Sequence, residues 1–244
     1  MALNDPTPGP NLPPTNFPGP AIVLKWTGTS GSDHHLGTQY MDQILGLGGH
    51  DTLAGGNASD TIDGGADNDL IYGQNGNDSL LGGAGDDEID AGGGNDQVDG
   101  GTGNDSIDGS DGQDTLVGGN GDDTMDGGGY EDVLIGGEGA DLMDGGLHDD
   151  VLSGGNGDDR IYGEHGNDWM SGGRGARDRL YGGIGNDTIH AGDTRRSTPM
   201  RPPPMSTGSM ARRATTRSTA TSTATSYGAG PTTTCSRAAR ASTC

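Results

Sequence analysis

A nine-residue unit recurs through about two thirds of this chain, and it constrains the fold more than any other feature of the sequence. A clear copy is GGNGDDTMD at Gly118–Asp126: glycines stand at positions 1, 2 and 4, aspartate at position 6 and an apolar residue at position 8. The register continues without a gap over 28–171 as 16 units, then through one ten-residue unit (172–181) and a last regular unit (182–190). Because the phase survives over 18 units, the chain is predicted to stack copies of one small element.

Positions 6 and 8 are the two columns that define the unit. Position 8 is Ile, Leu, Val or Met in every unit but the first, where it is His35. One apolar residue per unit makes too thin a core for a unit to stand alone, so neighbours must stack. If two units form one coil, the strand spacing predicts nine coils and a rod about 40 Å long. Position 6 is aspartate throughout: Asp33, Asp42, Asp51, Asp60, Asp69, Asp78, Asp87, Asp96, Asp105, Asp114, Asp123, Asp132, Asp141, Asp150, Asp159, Asp168, Asp178 and Asp187.

Composition alone is typical of a disordered chain, with 28% hydrophobic residues and a net charge of −23. The periodicity argues against disorder for residues 28–190 and leaves it as the expectation at both ends. Residues 28–190 hold 34 acidic side chains and four basic ones. Such a charge favours cations and argues against nucleic acid or anionic membranes as partners. Both cysteines, Cys235 and Cys244, lie outside the repeats, so no disulfide framework or thiolate metal site is expected there.

The sequence predicts three segments. Residues 1–27 form a Pro-rich linker followed by a short apolar run, Ala21–Trp26, which we expect to be a strand that caps the repeats. This run is too short for a signal peptide and no basic region precedes it, and nothing in the chain approaches the length of a membrane span. Residues 28–190 are the repeat array, and residues 191–244 are a low-complexity Thr/Ser/Arg tail that we expect to be disordered.

We hypothesise that this tail is the product of a frameshift near Asp193. With GC-rich codons, the repeat-like peptide GDDTLY is encoded by GGC GAC GAC ACG CTC TAC. Read one base late, these codons give ATTRST, which is the sequence at Ala214–Thr219. When Thr232–Cys244 is back-translated with GC-rich codons and read in the oppositely shifted frame, it gives DDDLLAGGAGVDM, which again resembles the repeat. The nucleotide sequence tests the hypothesis, since a stop codon or an absence of repeats in the shifted frame contradicts it.

Two departures from the unit predict local distortion. The ten-residue unit at 172–181 adds a residue and three arginines, which predicts a bulged loop with a weakened site. A glycine at position 4 is expected to adopt a conformation that is costly for other residues, so turns that lack it should be strained or altered. Position 4 is not glycine at Tyr40, Ala58, Asp67, Tyr130 and His148.

The chemistry of the unit points to a hard cation. Glycine-rich turns can direct backbone carbonyls to one side, and the position-6 aspartate adds a carboxylate. Oxygen ligands of this kind suit calcium, whereas magnesium demands strict octahedral geometry and retains its waters. The sequence contains no HExxH motif, no G-x-S-x-G motif and only one lysine, Lys25, so no catalytic centre or P-loop is predicted.

These residues resemble the calcium-binding nonapeptide repeat of RTX (repeats-in-toxin) proteins, GGxGxDxUx with U apolar. The resemblance implies an all-β fold, a right-handed parallel β-roll, in which Ca²⁺ is bound between turns by aspartate and carbonyl oxygens of adjacent coils. Nine coils leave at most 16 gaps between stacked units, and one Ca²⁺ in each gap would bring a charge of +32 against the −30 of the array. Folding should therefore depend on calcium. Asp33, Asp42 and Asp178 lie in the units that match least well. The implied ligands are Asp51, Asp60, Asp69, Asp78, Asp87, Asp96, Asp105, Asp114, Asp123, Asp132, Asp141, Asp150, Asp159, Asp168 and Asp187.

We therefore predict a non-catalytic, calcium-binding RTX-type β-roll that folds outside the cell as a monomer and has no N-terminal signal peptide. The sequence does not identify a protein partner. The alternative is a C-terminal-type fragment of a secreted RTX enzyme or toxin (protease, lipase or haemolysin) whose active domain is absent. Genomic sequence upstream that encodes HExxH or G-x-S-x-G would favour this alternative. An ice- or surface-binding adhesin is disfavoured because position 7 is threonine in only some units. Members of the family carry a secretion signal at the C-terminus, which the tail does not resemble, so a frameshift there puts export of this chain in doubt.

Overall fold

The computed structural model describes residues 23–175 and 177–192, and every regular element in these ranges is a β-strand. None of the described residues forms a helix that is long and apolar enough to cross a membrane. The predicted linker, most of the tail and the proposed frameshift lie outside the described residues, so the segment boundaries stay predictions.

The strands form two parallel sheets, and the chain alternates between them. The first sheet contains the odd-numbered strands β1 (Val23–Thr27), β3 (Met41–Leu45), β5 (Thr61–Ala66), β7 (Ser79–Ala84), β9 (Gln97–Thr102), β11 (Thr115–Asn120), β13 (Val133–Glu138), β15 (Val151–Asn156), β17 (Trp169–Ser171) and β19 (Thr188–His190). The second contains β2 (His34–Thr38), β4 (Thr52–Asn57), β6 (Leu70–Asn75), β8 (Glu88–Asp90), β10 (Ser106–Asp108), β12 (Thr124–Asp126), β14 (Leu142–Asp144), β16 (Arg160–Tyr162) and β18 (Arg179–Tyr181).

Each strand pairs with the strand two units away, so two units make one coil. Leu116 of β11 lies opposite Leu134 of β13, which is 18 residues later. Repetition of this pairing along both sheets builds a solenoid of about nine turns. The predicted all-β parallel β-roll is confirmed.

The core is a double column of position-8 side chains between the sheets. Position 8 is the middle of each three-residue strand segment, so it points inward while positions 7 and 9 point outward. Each of these side chains is at most 3% exposed and contributes about 1.5–3 kcal/mol by burial. They are Ile44, Leu53, Ile62, Ile71, Leu80, Ile89, Val98, Ile107, Leu116, Met125, Leu134, Met143, Leu152, Ile161 and Met170.

The first coil departs from this core pattern because its position-8 residue is His35. The ring of His35 stacks on Trp26 of β1, with centroids 4.3 Å apart, and Trp26 packs against the core. β1 itself pairs with β3 along its whole length. The apolar run that precedes the repeats therefore adds a strand to the first sheet and covers the end of the core.

The predicted strain at position 4 is confirmed in four of the five turns. Ala58, Asp67, Tyr130 and His148 adopt φ between 71° and 84°, the left-handed region that disfavours side chains, whereas Tyr40 does not. Position 2 shows the same strain at four further residues, although the repeat pattern predicted strain only at position 4. These are Leu47, Gln74, Ser110 and Glu164.

Candidate metal site in the aspartate ladders

The position-6 aspartates form two columns along the roll, one beside each sheet, which we call the aspartate ladders. Each aspartate ends a turn and precedes a strand, so stacking of the coils places it next to the aspartate of the adjacent coil. All ladder members from Asp42 to Asp168 are only 1–4% exposed. Asp33, Asp178 and Asp187, which lie near the two ends, are half-buried.

One carboxylate oxygen of each aspartate joins neighbouring coils. The backbone N–H of Asp60 donates to Asp78 Oδ1 at 2.7 Å, and the same bond recurs across all 16 gaps of the two ladders, at 2.7–3.2 Å. The repeat unit does not predict this role, because its pattern does not reveal which backbone N–H group lacks a partner in the sheet. The only sequence signal for this role is that position 6 is aspartate in all 18 units.

The other carboxylate oxygen, Oδ2, is buried without any hydrogen-bond partner in 14 of the 15 predicted ligands. A buried, unpaired carboxylate oxygen is costly, so this arrangement favours a bound cation. Asp187, the remaining predicted ligand, is half-buried and does not belong to this set. The 14 are Asp51, Asp60, Asp69, Asp78, Asp87, Asp96, Asp105, Asp114, Asp123, Asp132, Asp141, Asp150, Asp159 and Asp168.

Backbone carbonyl oxygens from the next coil converge on the same place as Oδ2, beside the first glycine of the turn. A Cβ atom added to Gly127 would lie 2.8 Å from Asp132 Oδ2 and 2.7 Å from the carbonyl oxygen of Gly145. At Gly109 the corresponding distances are 2.9 Å to Asp114 Oδ2 and 2.8 Å to the carbonyl oxygen of Gly127. Glycine at position 1 thus leaves a space lined by a carboxylate and a carbonyl oxygen of adjacent coils.

Side chains alone do not complete a metal site. Among residues 23–175 and 177–192, no three side chains of His, Cys, Asp or Glu converge on one point. Calcium takes six to eight oxygens and accepts backbone carbonyls, so the mixed oxygen set of these turns suits it. The residues present therefore fit calcium, with carbonyls as an essential part of the ligand set.

The electrostatics of the ladders are dominated by burial. Burial raises the pKa of the Asp150 carboxyl to about 8, a hydrogen bond from the Asp132 backbone lowers it, and the neighbouring charges of Asp132 and Asp168 raise it further. In the same way burial raises the pKa of Asp78, Asp123 and Asp132 to about 7. Without a cation, these four carboxyls bind protons near neutral pH. Burial also raises the pKa to about 6 at Asp60, Asp69, Asp105, Asp114, Asp159 and Asp168.

The ten-residue unit changes the spacing but not the pairing. The N–H of Asp159 donates to Asp178 Oδ1 at 3.2 Å across 19 residues, and β16 still pairs with β18. The extra residue is therefore taken up in the turn, part of which (residue 176) lies outside the described ranges. Asp178 is less buried than the regular ladder aspartates. The predicted weakening of its site stays a prediction.

A model of the RTX calcium-binding nonapeptide repeat (4 copies) matches the chain eight times. The matched residues are 27–62, 36–71, 63–98, 72–107, 90–125, 117–147, 144–177 and 175–194. These matches span both aspartate ladders and more than half of the chain. No curated protein matches the chain.

Proposed function

Because the chain belongs to the family of RTX calcium-binding nonapeptide repeat proteins, we propose that it is a non-catalytic calcium-binding β-roll that folds on Ca²⁺ outside the cell. The observation that carries this proposal is the row of 14 buried Oδ2 atoms without partners. In ten of the 14 turns, a carbonyl oxygen of the next coil lies beside the same position-1 glycine as Oδ2. Calcium would satisfy both oxygens at once and link the two coils.

Coupling between calcium and folding follows from the balance of forces in the roll. The hydrophobic core has one residue per unit, whereas the array carries 34 acids and four bases. Without cations, the ionised stacked carboxylates repel each other and lie buried at a cost in free energy, which only the uptake of protons at lower pH relieves. Ligands that come together only in the folded state make the free energy of metal binding a part of the free energy of folding.

Folding outside the cell is supported by the expected affinity. Extracellular calcium modules bind with dissociation constants of roughly 0.1–1 mM, far above the calcium concentration to which cytosolic sites are tuned. RTX repeats are typical of secreted proteins, which agrees with such a range. The proposal also holds that the roll is a monomer without a nucleic-acid partner, as its acidity favours.

The absence of catalysis in this proposal rests on the sequence motifs and on the role of the acids. The ladder aspartates join coils through Oδ1, so their placement is explained without any substrate. Neither HExxH nor G-x-S-x-G occurs in the chain. The alternative, a fragment of a secreted enzyme or toxin, is distinguished by the genomic sequence upstream.

The test is a calcium titration of the full chain followed by far-UV circular dichroism, with magnesium as the control cation. We expect a cooperative gain of β-sheet signal with calcium and little change with magnesium. A spectrum that is unchanged at about 10 mM calcium, well above the affinity range of extracellular modules, would contradict the proposal.

A further inference from the structure

The first coil, residues 28–45, differs from every later coil at position 2 of its turns. From Leu47 to Gly192, every position-2 residue adopts φ between 60° and 117°. Thr29 and Thr38 occupy position 2 in the first coil, and neither has a positive φ. A β-branched residue in the left-handed region is a rare outlier, so these threonines belong to a different turn conformation.

In that conformation both threonines hydrogen-bond to the aspartate of their own turn. Asp33 Oδ2 accepts the Thr29 N–H at 2.6 Å and the Thr29 hydroxyl at 2.9 Å. Asp42 Oδ2 accepts the Thr38 N–H at 2.7 Å and the Thr38 hydroxyl at 3.0 Å. The oxygen that lacks a partner in the following coils is thus satisfied by two donors in the first.

A hydroxyl at position 2 is not sufficient for this contact. Ser110 occupies position 2 of an interior turn with φ 67°. Its hydroxyl donates to Asp108 Oδ1 at 3.1 Å and lies 3.5 Å from Asp90 Oδ1. Asp114 Oδ2, in the same turn as Ser110, remains without a partner. The contact therefore depends on the conformation that the first coil adopts.

The position of the first coil explains the difference. Each later ladder aspartate accepts a backbone N–H from the preceding coil, whereas Asp33 and Asp42 have no repeat coil before them. Asp33 and Asp42 therefore receive no such N–H from a repeat coil, although β1 pairs with the strand that contains Asp42. Beside Gly28, the carbonyl oxygen of Gly46 lies near Asp33 Oδ2 as in later turns, so the first turn differs in its threonine donors and not in its carbonyl.

We propose that Thr29 and Thr38 take the place of calcium at the N-terminal end of the roll. Asp33 and Asp42 are capping residues and not calcium ligands, and the sites between coils begin with Asp51 and Asp60. This inference rests on the proposed calcium-binding function, and it specifies which carboxylates that function uses.

The first test counts bound calcium in the full chain by equilibrium dialysis at saturating calcium. We expect D33N/D42N to bind as many ions as the unaltered chain, whereas the matched D51N/D60N variant binds about two fewer. An equal loss in both variants overturns the inference. Failure of the unaltered chain to bind calcium at all contradicts the proposed function instead, so the two failures are distinguishable.

The second test measures amide hydrogen exchange in the calcium-loaded chain. Removing the hydroxyls in T29V/T38V should accelerate exchange of the first-coil amides by about tenfold and leave residues beyond 63 unchanged, because the lost bonds to a carboxylate are local. T29S/T38S retains the hydroxyls and should retain the protection. Unchanged exchange in the valine variant overturns the capping role even if the calcium count holds.

Discussion

The two ends of the roll are built differently. At the N-terminal end, Trp26 covers the core and stacks on His35, and threonines satisfy the terminal carboxylates. At the C-terminal end, Leu180 is only partly buried and Ile189 is 42% exposed, although both occupy the position-8 column. A core of one side chain per unit is thus sealed by side chains at one end, while at the other its last members lie near solvent. Stability should therefore fall from the interior to this open end.

The largest expected effect compares the centre of the core with the open end. Leu116→Ala removes a fully buried side chain and should lower the free energy of unfolding by about 2–5 kcal/mol. Ile189→Ala should lower it by less than about 1 kcal/mol, because Ile189 is already partly in water. Denaturant titration of the calcium-loaded chain measures both. Equal losses would show that the open end is covered in solution.

A second comparison concerns how much the side chains at the capped end and at the open end contribute to the free energy of unfolding. Trp26→Ala removes the ring that packs on the core and on His35, and it should cost about 2 kcal/mol, since the ring is only partly buried. The matched change at the open end is again Ile189→Ala. If Trp26→Ala costs no more than that change, the apolar run is an appendage and does not close the core.

The pH dependence of the metal-free roll reports on the interior ladders. Burial raises the folded-state pKa of Asp150 from 3.8 to about 8, so the metal-free roll binds more protons than the unfolded chain. The stability that these protons contribute is complete below about pH 4 and is lost as the pH rises through about 6 to 8. Without calcium, we expect more β-sheet signal at pH 5 than at pH 8 by circular dichroism.

With calcium, protons compete for the same carboxylates. The calcium concentration at half-saturation should therefore rise about tenfold or more when the pH falls from about 8 to 6. Circular dichroism at a series of calcium concentrations measures this shift. An affinity that is independent of pH over this range would mean that the interior aspartates are not the ligands.

The nine-residue period predicted the core column and the strain at position 4, whereas the parallel β-roll was what the resemblance to RTX repeats implied. The period could not predict the capping threonines, since Thr29 and Thr38 read only as mismatches to glycine. It also could not predict that Oδ1 joins the coils, because that bond depends on how adjacent turns are stacked. The sequence thus indicated which residues are candidate ligands but not which oxygen of each lacks a hydrogen-bond partner.

The smallest effect concerns strain that lies away from both ends. Ala58 adopts φ 80° at position 4, where glycine carries no steric penalty, so Ala58→Gly should raise the free energy of unfolding by about 0.5–1 kcal/mol. The matched control is Ala66→Gly at position 3, where φ is not positive and the added backbone freedom should cost about 0.5–1 kcal/mol. Thermal unfolding of the two variants in calcium should therefore shift in opposite directions. A shift in the same direction would mean that the turn at Ala58 does not hold the left-handed conformation. Backbone strain would then not explain why glycine occurs at position 4.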